Sequence, residues 1–462
     1  MSQRANLQSR SGPDGIADGH ILSLTGVWLS KEIMRAMCLD GHRPGSAMSI
    51  HQKPDESARN GPRRLGSVDA MLWIFAWQLH RGGCGSADLE GTDIMNDMTA
   101  TPWPRDRVIP ESTWQRPAGT RVISADDHLI EEPGLWEDRL KGADKDRAPK
   151  YWRDETGFHL EVDGHSYDVP GLPPLFPEGR EGFWDVSKRL ADMDAEGIDA
   201  AVIYHGRLNS LIRMPDKEFW YRCVDVCNEW AAEWKEAAPD RLFPVALLPT
   251  FLWPEQTRDY LQKLQQLGYK AIDIPVSPKG VRYNSLSMDP MWEAIQESGM
   301  PVSFHIGAYI QYSGRGSLGA NLNANLMPFT GLFGQLVFSG VFDRFPGLKV
   351  VFTEGGASWV PGTLENADKV ARDYASELRP KLAHKPSWYW HNNCYTTFME
   401  DDVAMENIGR LGAGRVMWST DYPHPEGVMG SSDAIMKRIF DMVGEDAGKQ
   451  VVGANAAGLW GI

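Results

Sequence analysis

The chain has 462 residues, 42% of them hydrophobic and 24% charged, a balance that excludes a mainly disordered, collagen-like or disulfide-stapled protein. The formal net charge is −15, and it is unevenly placed: residues 1–94 hold ten basic and ten acidic side chains, so 95–462 carry the whole excess. An acidic body repels phosphate backbones, which argues against nucleic acid as a partner.

Residues 1–94 mix turn-rich segments, such as Ser11-Gly12-Pro13-Asp14-Gly15 and Asn60-Gly61-Pro62, with isolated apolar bursts and no sustained period. The apolar stretches 21–29 and 71–79 are too short to span a bilayer. The second fails as a signal peptide because His80 and Arg81 stand where small cleavage-site residues belong. The expectation is an extension that is disordered or reflects a start-site artefact, with Met95 and Met98 preceding Thr99-Ala100-Thr101-Pro102. Five cysteines cannot form a disulfide framework, and Cys223 and Cys227 fall at i,i+4 in a helical pattern. Thiols of this kind belong to a reducing compartment, so the expected location is cytoplasmic, with no membrane partner.

From Arg121 onward, short apolar runs alternate with amphipathic helical stretches. Strands are expected at 121–125, 199–204, 242–248, 270–274, 301–305, 348–353, 394–398 and 415–419. Helices are expected at 186–196, 217–238, 254–267, 290–298, 401–411 and 433–443. Gly197, Gly268, Gly299 and Gly412 stand where helix C′ residues belong. Eight strands, each followed by helical sequence, predict an α/β fold, a (β/α)8 TIM barrel over 95–462. An open doubly wound sheet is the alternative, but no Gly-x-Gly-x-x-Gly follows any strand. An insertion at 130–184 separates the first strand from the first helix. Its Asp163-Gly164, between alternating runs, predicts a hairpin. On a barrel it would lie at the C-terminal face of the strands as a lid or substrate wall.

The chemistry-bearing residues sit at strand ends. Asp126 and His128, in Ala125-Asp126-Asp127-His128, are two apart and share one face of an extended segment, while Asp127 points away. His305 leaves an apolar strand in Val302-Ser303-Phe304-His305. Glu354 ends another in Val351-Phe352-Thr353-Glu354-Gly355-Gly356, and Asp421 ends the last in Trp418-Ser419-Thr420-Asp421-Tyr422-Pro423-His424. Taken singly, each is an ordinary capping or structural residue. Together they are four strand ends of one barrel converging on one mouth. Asp126, His128, His305 and Asp421 then offer two imidazoles and two carboxylates to one divalent metal, zinc first and manganese second. His205, Arg207, Tyr309 and His424 follow site strands and are expected to bind substrate.

From Arg121 to the end the chain resembles the second amidohydrolase family, in the branch related to aminocarboxymuconate-semialdehyde decarboxylase. The resemblance rests on Ser124–His128 with Glu131 and Pro133, on Leu190–Asp199 and Ala238-Pro239-Asp240-Arg241-Leu242, and on Pro301–Gly307. It continues through Thr353–Gly356 with Trp359, Ser419–His424 and Asn455-Ala456-Ala457. It implies a distorted barrel with a mononuclear metal site, held by the first-strand pair, the fifth-strand His and the last-strand Asp. Many members of this branch carry His-x-His on the first strand, where Asp126 stands here. Related decarboxylases place a catalytic His at the end of the sixth strand, where this chain has Glu354. The expected activity is non-oxidative decarboxylation of a small aromatic or unsaturated carboxylic acid, with Asp421 or Glu354 as the catalytic acid. The alternatives are hydrolysis of an amide, lactone or carbon–carbon bond by metal-bound water and, more remotely, a non-catalytic binding barrel. A homodimer through the apolar stretch 326–345 is one expectation for assembly, and a buried outer helix is the other.

Overall fold

The computed structural model describes residues 106–132, 134–154, 157–166, 180–206, 214–306, 315, 320, 323–324 and 327–462. The extension 1–94 lies outside the described residues, as do Arg207 and Tyr309.

Twelve strands occur among the described residues. Nine of them form the barrel wall. They are β1 (Ile123–Leu129), β5 (Ala200–His205), β6 (Leu242–Pro244), β7 (Ala246–Leu247), β8 (Ile272–Pro275), β9 (Val302–His305), β10 (Val350–Thr353), β11 (Cys394–Phe398) and β12 (Val416–Trp418). All pair in parallel, in the orders β1-β5-β6 and β7-β8-β9-β10-β11-β12. β6 and β7 are one predicted strand broken at Val245. The Val245 amide donates to Ile203 O at 2.8 Å and the next, Ala246, to Ala271 O at 3.1 Å, so the chain changes partner there. On the other side β1 lies against the segment leaving β12: His128 N–H donates to Tyr422 O at 2.7 Å and Asp421 N–H to Asp126 O at 2.9 Å. The result is the eight-stranded barrel expected from the sequence, distorted at these two seams.

Two apolar layers follow from the period of two along each strand. Inward side chains, including Ala125, Val202, Tyr204, Val245, Val351 and Met417, form a small interior cluster. Ala456 and Trp460, from the C-terminal helix Asn455–Trp460, join that cluster at the end where the strands begin. Outward side chains pack under the helices in a much larger cluster. Helix Val186–Glu196 matches its expected span; the Asp185 side chain caps its first amides, and Gly197 ends it in the left-handed region at φ 69°.

Among the longer described helices, two escaped the periodicity and a third was expected only as one of two readings. Trp359–Asp373 carries Pro361 and Gly362 in its first turn, which read as a breaker. The structure tolerates the proline because the first amides of a helix have no intrahelical acceptor. Pro386–Asn393 has no apolar stripe. Met327–Phe338 comes from the continuous apolar stretch, and its Phe329, Phe333 and Leu336 are fully buried within the chain, which is the outer-helix reading. The expected helix 401–411 is two short pieces, Asp402–Glu406 and Ile408–Leu411.

The insertion contains the predicted hairpin. β3 (Gly157–Val162) pairs with β4 (His165–Ser166) around Asp163 and Gly164, both at positive φ, and β2 (Lys150–Asp154) adds a third antiparallel strand. Its chain returns to the C-terminal end of β1, where Ile130 N–H donates to Phe183 O at 2.9 Å.

Candidate metal centre

β1 carries one extra residue relative to β5 between Ser124 and Asp127, a bulge at Ala125–Asp126. Bulges of this kind re-aim side chains near sites. Here Asp126 and His128 enter the mouth of the barrel while Asp127 turns into the wall, as the alternation predicts. All three are buried. His305 reaches the same point from β9. Its Nε2 lies 3.3 Å from Asp126 Oδ1, and its Nδ1 lies 3.1 Å from Glu354 Oε2 and 2.7 Å from its neighbour's carbonyl, Ile306 O. Asp421 follows β12, with Oδ1 3.2 Å from His128 Nε2. Donor atoms of Asp126, His128 and His305 lie within 4.8 Å of one another, and so do those of His128, Asp421 and His424 and those of Asp126, Glu354 and Asp421. Four strand ends therefore deliver six chemistry-bearing side chains to one place.

Glu354 and Asp421 take φ of 64° and 53°, a region that side-chain-bearing residues rarely adopt. Such strain persists only where surrounding contacts over-determine the backbone. Those contacts are present. Glu354 N–H donates to Thr397 Oγ1 at 2.7 Å, and Asp421 N–H is held by Asp126 O. The Gly427 backbone packs so closely on this turn that a Cβ there would meet Asp421 O at 2.6 Å.

Burial raises the Asp421 carboxyl well above the usual carboxylate range, with the charge of Asp126 adding to it. Burial and the charge of Asp421 raise Glu354 likewise. Burial opposes the charged form of His305, but Asp126 and Glu354 outweigh it and hold the ring up at about 10. His128 is driven the other way by burial and by the neighbouring imidazoles. His424, its ring 4.2 Å from that of His128, is pushed down to about 3 by burial and His305. The arrangement therefore sets two neutral imidazoles, His128 and His424, and a proton-holding His305 among crowded carboxylates, a place that favours positive charge.

His128 Nε2 and both Asp421 carboxylate oxygens are buried and make no hydrogen bond among the described residues. Buried acceptors left in that state are costly. A divalent cation answers imidazole nitrogen and carboxylate oxygen together, so this donor set fits one.

His205, at the end of β5, is not among these converging donors. It lies 4.0 Å from Glu131, and burial lowers it to about 4. Arg315 is exposed. Sequence reasoning missed the support behind the site. Asp127 Oδ1 accepts from Ser124 Oγ at 2.7 Å, from Tyr422 N–H at 3.2 Å and from Thr420 Oγ1, while Oδ2 faces Arg189 Nη1 at 3.2 Å. Arg189 is fully buried, donates to Gly182 O and His128 O, and lies 3.9 Å over the Tyr422 ring. Nothing in the sequence links residues 62 positions apart. A surface cleft of about 770 Å³ lies at the opposite end of the barrel, where its Arg116 and Arg241 are already paired with Asp199 and Asp194.

The fold and site define a metal-dependent-hydrolase type of barrel, and the amidohydrolase family model (Amidohydro_2) matches residues 99–462. The chain belongs to the amidohydrolase family and is an enzyme of it, in the decarboxylase-related branch that its motifs resemble. It is 23% identical over 268 residues to 2-amino-3-carboxymuconate-6-semialdehyde decarboxylase of Dictyostelium discoideum, covering 55% of this chain and 70% of that protein. Among solved structures, 5-carboxyvanillate decarboxylase of Sphingomonas paucimobilis superposes with a TM-score of 0.59 at 22% identity, covering 74% of this chain and all of that one. The 5-carboxyvanillate decarboxylase of Novosphingobium aromaticivorans, solved with manganese and 4-hydroxy-3-methoxy-5-nitrobenzoic acid, superposes at 0.56 with 19% identity over 74% of this chain and 97% of that one. At these identities the structural likenesses establish the fold.

Proposed function

We propose that this chain is a divalent-metal-dependent carboxy-lyase that removes CO2 from a small aromatic or unsaturated carboxylic acid without an oxidant. The observation that carries the reading is the convergence of Asp126, His128, His305 and Asp421 on one buried point, with the Asp421 carboxylate and His128 Nε2 left without hydrogen bonds. These four would hold one ion, and residues 95–462 form the catalytic unit. Two imidazoles and two carboxylates suit zinc or manganese, and manganese is the ion in the Novosphingobium enzyme. When bound, the ion supplies an anchor for the substrate carboxylate and a sink for negative charge.

The protein side chains do the rest. Glu354, buried beside His305, carries a proton because burial and Asp421 disfavour its charged form. As the bond from the ring or alkene carbon to the carboxylate breaks, CO2 leaves, and the electron pair left on carbon takes the proton of Glu354 or Asp421. The donor then recovers a proton from water. His424, its ring 4.2 Å from that of His128, would contact the substrate, and His205, Arg207 and Tyr309 are the further substrate-binding candidates. The three described cysteines are free and buried, and no helix among the described residues is long and apolar enough to cross a membrane. We place the enzyme in the cytoplasm.

Hydrolysis of a carbonyl compound is the second reading. Glu354 itself favours it, because a carboxylate stands where the related decarboxylases carry a His. Reaction in 18O-water with a panel of hydroxylated benzoates and lactones separates the two. CO2 release with no label in the organic product supports the lyase, and label in the product supports the hydrolase.

A further inference from the structure

The turn leaving β12 carries Asp421 and His424, and its internal hydrogen bonds are His424 N–H to Asp421 O at 2.8 Å, Gly427 N–H to His424 O at 3.1 Å and Val428 N–H to Thr420 O at 2.9 Å. Those bonds leave the carbonyls of Pro425 and Gly427. Both are taken by one side chain from the other end of the chain: Arg107 donates Nη2 to Pro425 O and Nη1 to Gly427 O. Arg107 is buried, and its own carbonyl accepts from Arg180 Nη1 at 2.8 Å. Arg180 in turn chelates Asp192, whose Oδ2 accepts from Tyr422 Oη at 2.6 Å.

The segment continues as a strap. Ser112 N–H donates to Ala195 O at 2.6 Å, and the amides of Thr113 and Trp114 reach Asp433 at 2.6 and 2.9 Å, in the first turn of helix Ser432–Val443. The Trp114 ring lies 5.1 Å from Phe440. Arg107 thus supplies the strap's side-chain hydrogen bonds to the metal-bearing turn, the Val108 carbonyl packs beside Gly430, and Ser112–Trp114 meet the outer helix separately.

We infer that Arg107 is a positioning residue for the metal centre: by bridging two carbonyls of the turn, it holds the strained backbone of Asp421 and the ring of His424 in line with Asp126 and His128. A planar guanidinium with two parallel donors suits this geometry, and the single ammonium of lysine does not span it equally well. The inference rests on the reading that Asp421 is a metal ligand.

The test uses the full chain, stripped with chelator, and measures Mn2+ and Zn2+ affinity by calorimetry, the melting temperature, and hydrogen exchange of amides 419–430. Arg107→Ala is expected to weaken Mn2+ binding at least tenfold and to speed exchange in 419–430 at least tenfold, with Arg107→Lys in between. Trp114→Ala, at the far end of the strap, is expected to lower the melting temperature while leaving Mn2+ affinity within twofold of the parent. Arg107→Ala with parental affinity and exchange would overturn the inference. So would Trp114→Ala losing as much affinity as Arg107→Ala, because the strap would then act through global stability alone. Should Arg107→Ala not fold, Arg107→Lys makes the same comparison. A parent chain that binds neither ion refutes the metal reading instead, and the affinity role of Arg107 falls with it. Slow parental exchange at 419–430 that Arg107→Ala accelerates then marks that failure as one of the metal reading and not of the clamp.

Discussion

Replacing Arg189 with methionine removes the buried cation behind the site and leaves its carboxylate partner in place. Arg189 is fully buried and makes three donations, to Asp127 Oδ2 at 3.2 Å, to Gly182 O at 3.1 Å and to His128 O, with Tyr422 stacked at 3.9 Å. Breaking a buried pair from one side costs about 3–5 kcal/mol. Asp127 keeps the donors of Ser124, Thr420 and Tyr422, so the cost falls at the lower end, about 3 kcal/mol, or roughly two decades in the folding equilibrium. Asp127→Asn strands the guanidinium and is expected to cost a similar amount. The double variant removes both charges, so its total is expected to be about 3 kcal/mol again, a coupling of at least ~2 kcal/mol. Urea denaturation of the four chelator-treated proteins at pH 7 measures this cycle. Additivity of the two single losses within about 0.5 kcal/mol would refute the argument that the pair works as one buried unit.

Three further outcomes follow from the same geometry. His305→Ala and Asp421→Asn are expected to abolish turnover and metal uptake. Asp421→Asn should also leave the chelated protein at least as stable as the parent, since it removes one of three crowded buried carboxyls; retained activity in both variants contradicts the site. Adding Mn2+ or Zn2+ at about 100 times its dissociation constant should stabilise the chelated parent by ~2.7 kcal/mol, and Asp421→Asn should lose that gain; an equal melting shift in both would place the ion elsewhere. Burial raises Glu196 from 4.5 to about 7, although Gly430 N–H and Ser432 Oγ donate to it at 2.6 and 2.8 Å. The native state then holds a proton that the unfolded chain has lost between about pH 4.5 and pH 7, so stability falls as pH rises through that window. Glu196→Gln should flatten the slope, gaining at most ~3 kcal/mol over the parent at pH 8, and equal pH profiles of denaturation would contradict it.

The barrel was legible because its signals are local. Val350-Val351-Phe352-Thr353 or Val302-Ser303-Phe304-His305 reads as a strand without reference to the rest of the chain, and so does the polar residue at its exit. The period of two placed Asp126 and His128 on one face even though β1 bulges between Ser124 and Asp127. What escaped depends on distant partners. Arg107 meets Gly427 across 320 positions, and Arg189 meets Asp127 across 62; in sequence each is one arginine among many. Helix Trp359–Asp373 escaped because Pro361 breaks a helix interior but is harmless in the first turn, and only the structure shows which applies. Positive φ at Glu354 and Asp421 was likewise invisible, as neither is glycine.

The central claim is that this site cleaves a carbon–carboxylate bond. Its most direct test is to incubate the Mn2+- or Zn2+-loaded full chain with carboxyl-13C hydroxybenzoates, 5-carboxyvanillate among them, in 18O-water and to follow 13CO2 by mass spectrometry. The account predicts metal-dependent 13CO2 release, one solvent-derived hydrogen on the product carbon and no 18O in the organic product, all lost in His305→Ala. Release of an 18O-labelled organic product with no 13CO2 from any acid in the panel would contradict it.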